Sequence, residues 1–475
     1  MAYTSDTDKL FLSDAQHEQS AIRAARAKAL ADRGAPIQLA SKPIAVRVRS
    51  PPGREPEAWI AESGFVVRRV GLETGKTQQV YRGHTGPVTS LDFHSVAKRD
   101  VVISGSWDKS FKVWDIQTKT LLSTTVGHLD FVKAVHVVPD LGVLVTASSD
   151  KDIRVWDLAA LESFDVASLV TGVDAEADIA PPPPPRQGAA PPPATPLRPL
   201  PCLCALKAHT RPVEVLASYP LLHKLPDGVA DDEVDVALRQ RTGRVALVSA
   251  DSMGALKIWE LWRQGGERQE LRGELRCKVR QHEGGIYDLK LSPEGEMWTA
   301  SVDNSVLLTQ LSLTSASAAP IPQLRIPHPA PVRSVLPLAS AFRDSPYLVT
   351  GASDELVRLI DLSASAALDP NPAREAKREW RGLPLAPPNA RVEGCAREID
   401  AHTHEIVQLC AYVSRNGQQW LLSASLDNTL RRWEWPEVLV REMDKVLVVR
   451  EEEQPEESLL TEEEERELAE LMGGE

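Results

Sequence analysis

Four residues in the first quarter of the chain, His84, Ser104, Asp108 and Trp114, contain the ingredients of nucleophilic catalysis. A hydroxyl could attack, an imidazole could take its proton, and a carboxylate could orient the imidazole. The set is not unique, however. Similar groups stand at His128, Asp150 and Trp156, and again at His402, Ser423, Asp427 and Trp433. A hydrolase needs one such site, so the repetition moves these side chains from chemistry to architecture, and no catalytic residue is assigned. Metal and cofactor chemistry find no better support. Cys202-x-Cys204 sets two thiols on one strand face but lacks the second pair that a structural zinc requires. His402-x-His404 is the repeated mark plus a loop residue, and no Gly-rich phosphate loop or metalloprotease spacing occurs. Neither a metal nor a cofactor is expected.

The elements that position these residues are short and recur. One phrase runs Ser104-Gly-Ser-Trp-Asp-Lys-Ser-Phe-Lys-Val-Trp114-Asp, then Ala147-Ser-Ser-Asp-Lys-Asp-Ile-Arg-Val-Trp156-Asp, then Ser249-Ala-Asp-Ser-Met-Gly-Ala-Leu-Lys-Ile-Trp259-Glu. Weaker copies end at Asp303, Asp354 and Asp427. Ahead of each copy stands a histidine: His84, His128, His209, His282, His328 and His402. Between the marks, stretches such as Val88–Phe93, Val132–Val137 and Val143–Thr146 alternate with period two and are rich in β-branched residues. That pattern predicts half-buried strands divided by tight turns.

On these marks, residues 44–435 resemble the WD-repeat family, whose repeats are propeller blades of about 40–45 residues. The resemblance implies an all-β fold: a seven-bladed β-propeller of four-stranded antiparallel blades. The six marked repeats are joined by a degenerate one upstream of His84, with strands expected at Ile44–Val48, Ala58–Ala61, Phe65–Val70 and Gln78–Tyr81. With insertions at 160–200, 220–242 and 362–392 set aside, each blade takes about 42 residues, within the family's range. The resemblance also implies that the repeated His, Ser, Asp and Trp form a hydrogen-bonded network inside each blade. Its expected members are His84, Ser104, Asp108, Trp114, His128, Asp150, Trp156, His209, Trp259, His282, Asp303, His328, Asp354, His402, Ser423, Asp427 and Trp433. Thr309 and Ile360 stand where two blades should have Trp, and Met253 where the fourth repeat should have Asp, with Asp251 two residues early. A propeller must also close, because an open edge leaves backbone groups unpaired. Lys445–Val449 is the expected outer strand of the last blade, with Ile44–Val48 an inner strand; the reverse exchange stays open.

The family commonly receives peptides at the rim of its central channel. The positions carried over are Trp107, Ser149, Val302, Ser353 and Leu426, before the turn Asp, with Pro87, Phe131, Pro212, Gly285, Pro331 and Glu405 after the His. Trp107 and Phe131, on neighbouring blades, are the expected aromatic anchor, with Arg211 nearby for an acidic or phosphorylated partner. A second candidate is Pro193-x-x-Pro196-x-Arg198 within a Pro-rich run. That run cannot form strand or helix, and its spacing suits aromatic-grooved domains.

Composition sets the outer limits. The chain has 475 residues, five cysteines and a formal net charge of -13. Five cysteines in so long a chain are no disulfide framework, which with the absence of a secretory segment predicts an intracellular protein, cytoplasmic and/or nuclear. No apolar run approaches the roughly 18 residues of a membrane span. Twelve acidic side chains against one basic one crowd into residues 451–475, leaving a near-neutral body in which nucleic-acid binding is neither favoured nor excluded. Three regions are expected: an extension over 1–40 with a helix at about 14–33, a propeller over 41–450, and an acidic tail over 451–475 with a short helix. The expected function is a non-enzymatic scaffold or adaptor, monomeric within a larger complex, that holds protein partners. The alternatives are an RNA- or pre-ribosome-associated assembly factor, a ubiquitin-ligase substrate receptor and a propeller enzyme. Against these, no Phe-Arg-Arg-Gly phosphoinositide motif is present, and no Arg follows a Trp-Asp or Trp-Glu pair by two residues.

Overall fold

A computed structural model describes residues 14–96, 99–163, 198–224, 236–265, 270–342, 345–365, 392 and 394–440. It holds seven four-stranded antiparallel sheets, six of them laid down in chain order from the channel outward. Blade 1 runs through Pro43–Arg49, Glu57–Glu62, Val66–Gly71 and Thr77–Arg82; blade 2 through Val88–Val96, Arg99–Ser106, Ser110–Asp115 and Leu121–Val126. Blades 3 to 6 begin with the inner strands Val132–Val138, Val213–Leu222, Ile286–Leu291 and Val332–Pro337, and blade 7 with Ile406–Val413. The inner strands of successive blades pack side by side around the axis.

The alternating pattern that predicts these strands also explains where the core lies. Each sheet is covered on both faces by its neighbours, so apolar residues serve two seams instead of one central core. There are seven seams. Trp59, Tyr81, Leu91 and Trp114 fill the one between blades 1 and 2, and Ile37, Val46, Leu72 and Leu430 fill the one between blades 7 and 1. Each fully buried side chain of this size contributes about 1.5–3 kcal/mol.

Ring closure departs from the expectation. The outer strand of blade 7 is Ile37–Gln38, from the N-terminal side, with Ile37 opposite Leu430 and Gln38 opposite Thr429. Leu39 N–H extends the pairing to the carbonyl of Asn428 at 2.8 Å. Two residues are too short to show periodicity, but Ile37 and Leu39 are buried in the 7–1 seam, which holds them there. The propeller therefore begins before residue 40, and Lys445–Val449 lies outside the described residues. Pro43–Arg49 is an inner strand as expected.

Other boundaries move too. The helix expected at 14–33 spans Asp14–Ala29 and belongs to a unit other than the one formed by residues 32–443. The insertion expected at 220–242 shrinks at both ends, because Leu222 already pairs with Arg241. Residues 164–197, which include Pro193 and Pro196, and the acidic tail lie outside the described residues. No helix among the described residues is long and apolar enough to cross a membrane.

Candidate functional site

The repeated histidines sit in the loops that enter each inner strand, and the repeated aspartates in the turns between the second and third strands. In blade 2, Asp108 Oδ2 lies 2.7 Å from His84 Nδ1 and accepts the Thr85 N–H, while Oδ1 accepts from Ser110. His84 Nε2 lies 2.8 Å from Ser104 Oγ, which accepts the Trp114 Nε1–H at 3.0 Å. The order is thus Trp N–H to Ser, Ser O–H to His, His N–H to Asp. Burial works against the Asp108 charge, but its bonds from His84 and Ser110 hold the carboxyl far below the usual range. Burial also lowers the His84 pKa, so the ring is neutral with its proton toward the carboxylate.

Blades 3, 4 and 7 repeat this arrangement. His128 joins Asp150 and Thr146, with Trp156 donating to Thr146. His402 joins Asp427 and Ser423, with Trp433 donating to Ser423. In blade 4, His209 lies 3.1 Å from Asp251 and 2.8 Å from Ser249, and Trp259 donates to Ser249. Asp251 reaches His209 despite its early position, and its Oδ1 takes the N–H groups of Met253 and Ala255. Thr146, absent from the expected set, follows a readable signal: a Ser or Thr stands ten residues before every one of these tryptophans.

Blades 5 and 6 differ. His282 keeps Asp303 at 2.9 Å and Thr299 at 2.8 Å without any Trp. Asp354, expected in the blade 6 network, does not bond His328. It pairs with the buried Arg358, which also donates to Glu398, and His328 instead meets Thr350 Oγ1 and the Ile326 carbonyl. A guanidinium with 2% of its surface exposed needs carboxylates more than a neutral ring does. The hydroxyls of Ser104, Ser249, Thr299, Thr350 and Ser423 belong to residues with no exposed surface, so none can meet a substrate.

The His loops and Asp turns share one face. There Trp107 and Phe131 stack with ring centroids 5.0 Å apart and planes 20° from parallel, while remaining 41% and 38% exposed. Both are carried on backbone that is already bonded: Trp107 N–H to the Pro87 carbonyl, and Ser149 N–H to the Phe131 carbonyl. Leu129 stands exposed on the same loop as Phe131, and Phe65, Met253 and Val302 are exposed on the turns of blades 1, 4 and 5. Arg211 is exposed on the His209 loop. A cavity of about 350 Å³ opens at the axis, with residues of all seven blades in its wall, Trp107 and Leu426 among them. In its wall Lys133 pairs with Glu214, and Arg333 with Glu405 while stacked 4.1 Å from the Tyr287 ring.

Sequence reading missed one unrepeated constellation. Ser218 Oγ lies 2.8 Å from His136 Nε2, and His136 Nδ1 lies 3.5 Å from Asp92 Oδ2. These come from the inner strands of blades 4, 3 and 2, which no local pattern links. Asp92 also accepts the Val137 N–H at 2.7 Å, so its carboxylate ties blade 2 to blade 3, as His136 ties blade 3 to blade 4. Asp288 and Ser334 make the same kind of tie from blade 5 to 6 and from 6 to 7. The set therefore belongs to a belt of inter-blade bonds. Among the described residues no group of three or more His, Cys, Asp or Glu is placed to hold a metal ion. Pro193 and Pro196 cannot be placed; Arg198 holds the chain against blade 2, its carbonyl accepting from Ser123.

Comparison with known proteins agrees with the repeat marks. Residues 75–115, 119–157 and 393–434 match the family described as WD domain, G-beta repeat. An uncharacterized WD repeat-containing protein of Schizosaccharomyces pombe is 23% identical over 84% of this chain and 82% of its own length. Small ribosomal subunit protein RACK1y of Oryza sativa is 41% identical over 12% of this chain and 17% of its own. The periodic tryptophan protein 2 homolog of S. pombe is 35% identical over 13% of this chain and 7% of its own. The matched repeats and the seven four-stranded sheets together make the chain a seven-bladed β-propeller that carries WD repeats.

Proposed function

We propose that the protein is a non-enzymatic scaffold that receives a protein partner on its His-loop face, with Trp107 and Phe131 as the anchor. The observation that supports this most is the stacked pair itself. Two large rings are left exposed, rigidly carried by bonded backbone, at the rim of the axial cavity. Buried aromatic anchors commonly dominate interface energy, and a preorganised pair loses little entropy on binding. WD-repeat propellers are in general interaction scaffolds, and this reading places the present chain among them. The similarity to the ribosomal subunit protein covers 58 residues, little more than one blade, and so reports the shared repeat rather than a shared assembly.

Affinity purification from cells, comparing the full chain with Trp107→Ala and Phe131→Ala, tests the reading. Co-purifying proteins should be present with the natural chain and lost from both variants, while the melting temperature stays unchanged. Recovery of the natural chain only as a free monomer, or identical partners with the variants, would count against it.

A further inference from the structure

The blades without tryptophan show what the tryptophan does elsewhere. In blades 2, 3 and 4 a bulge in the pairing of third and outer strands falls just before Trp114, Trp156 and Trp259. In blade 5 the same bulge falls just before Thr309. Thr309 is therefore the structural equivalent of those tryptophans. Where the indole is present it presses on the residue that precedes the His of the same repeat: a Cβ added at Gly83 or Gly127 would lie 2.9 or 2.2 Å from Cη2 of Trp114 or Trp156. Ala208 and Ala401 hold that place before His209 and His402, so small residues accompany each of the four tryptophans. Before His282 stands Gln281, whose Oε1 accepts from Thr309 Oγ1 at 3.1 Å.

Thr309 itself is fully buried, and the open space lies beside Gln281, between the outer strand of blade 4 and blade 5. A cavity of about 610 Å³ lies there, walled by Val279, Leu307, Pro320 and Pro322, with Arg280, Arg325 and Glu283 also in its lining. Its volume falls in the roughly 300–1,000 Å³ range of ligand sites. Of its two guanidinium groups, that of Arg325 is already paired with Asp303, which leaves Arg280 as the exposed cation. The Arg325 side chain is 13% exposed and lies 3.4 Å from Asp303. The Gln281 amide nitrogen is buried without a hydrogen-bond partner among the described residues.

We propose that this groove is a second docking site, for an aromatic side chain flanked by carboxylates on a partner protein. The four filled grooves identify an indole-sized ring as the group that fits, and the exposed Arg280 selects acidic neighbours. The site, lined by the His282 loop of the same face, is distinct from the Trp107–Phe131 pair and does not rest on it.

The test uses the full chain and a fluorescein-labelled acidic pentapeptide with a central tryptophan, followed by anisotropy, with an alanine-centred peptide as control. The tryptophan peptide should bind at least tenfold more tightly than the control. Arg280→Glu, an exposed change that leaves folding alone, should weaken it at least tenfold. The double variant Gln281→Gly with Thr309→Trp rebuilds the pairing of blades 2 and 3 and should abolish binding without lowering the melting temperature. Trp107→Ala should leave binding unchanged. No binding by the natural chain, equal binding of the alanine peptide, undiminished binding by Arg280→Glu or by a folded double variant, or loss in Trp107→Ala would each overturn the proposal.

Discussion

At the scale of the residue, the His networks turn burial into pH dependence. His328 is pushed down to about 4, chiefly by burial and then by the nearby Arg358 charge, whereas an unfolded histidine titrates near 6.5. Between those values the unfolded chain binds the extra proton and the folded chain does not, so stability falls as pH drops from 6.5 to 4. By linkage this single group accounts for a loss on the order of 3 kcal/mol. His84, His209 and His402 are lowered for the same reason and act in the same direction. The turn aspartates add a second phase. Burial opposes the Asp427 charge, yet its bond from His402 holds it at about 2, so the stability it contributes above about pH 4 is lost as pH falls toward 2. Melting temperature should thus decline from pH 6.5 downward, and His328→Gln should flatten the slope between 6.5 and 4; an unaltered slope would assign the effect to other groups. Ser423→Ala removes the atom that joins His402 to Trp433 and should cost about 1–3 kcal/mol in chemical denaturation.

At the scale of the element, the shortest strand has the largest consequence. Ile37–Gln38 covers the free edge of Thr429–Trp435, and Ile37 and Leu39 are 5% and 8% exposed. Deleting residues 1–40 should remove about 3–6 kcal/mol for those two side chains and leave an edge open to self-association. Deleting residues 1–31 should leave the ring closed. Denaturation with light scattering separates the two, and equal behaviour would show that closure does not depend on this strand. In blade 6 the third strand carries Arg358 between Asp354 and Glu398. Arg358→Met removes the buried cation that Asp354 and Glu398 share and should cost about 3–5 kcal/mol, more than the same change at the exposed Arg272.

At the scale of the whole molecule, the stabilising surface is distributed over seven seams, and side chains of the inner strands tie blade to blade. Ser334 donates to Asp288 and accepts the Leu409 N–H, so one hydroxyl joins blades 5, 6 and 7. Ser334→Ala leaves the buried Leu409 N–H unmet and takes one of several bonds from Asp288, and should cost about 1–3 kcal/mol. Because the ring is closed, the loss should appear as a lower midpoint of one transition; a separate early transition for blades 5 to 7 would show that the seams unfold independently.

The amino-acid sequence by itself determined the blades. Period-two alternation, the Gly and Asp turn residues and the spacing of His and Trp act over ten to twenty residues, and such local signals are visible along the chain. The exposed Trp107 and Phe131 were legible for the same reason, because each stands at a set distance from its repeat mark. Tertiary structure decided whatever joins distant segments. Ile37 and Lys445–Val449 were both acceptable strand formers, and only burial against blades 7 and 1 selects Ile37 for the closing edge. Asp92, His136 and Ser218 come from three separate strands, and Asp354 turns from His328 to Arg358 because a buried cation is costlier to leave unpaired than a neutral imidazole. The groove beside Thr309 is likewise set by the neighbouring blade, since a missing side chain becomes a cavity only when two packed sheets fail to fill the space between them.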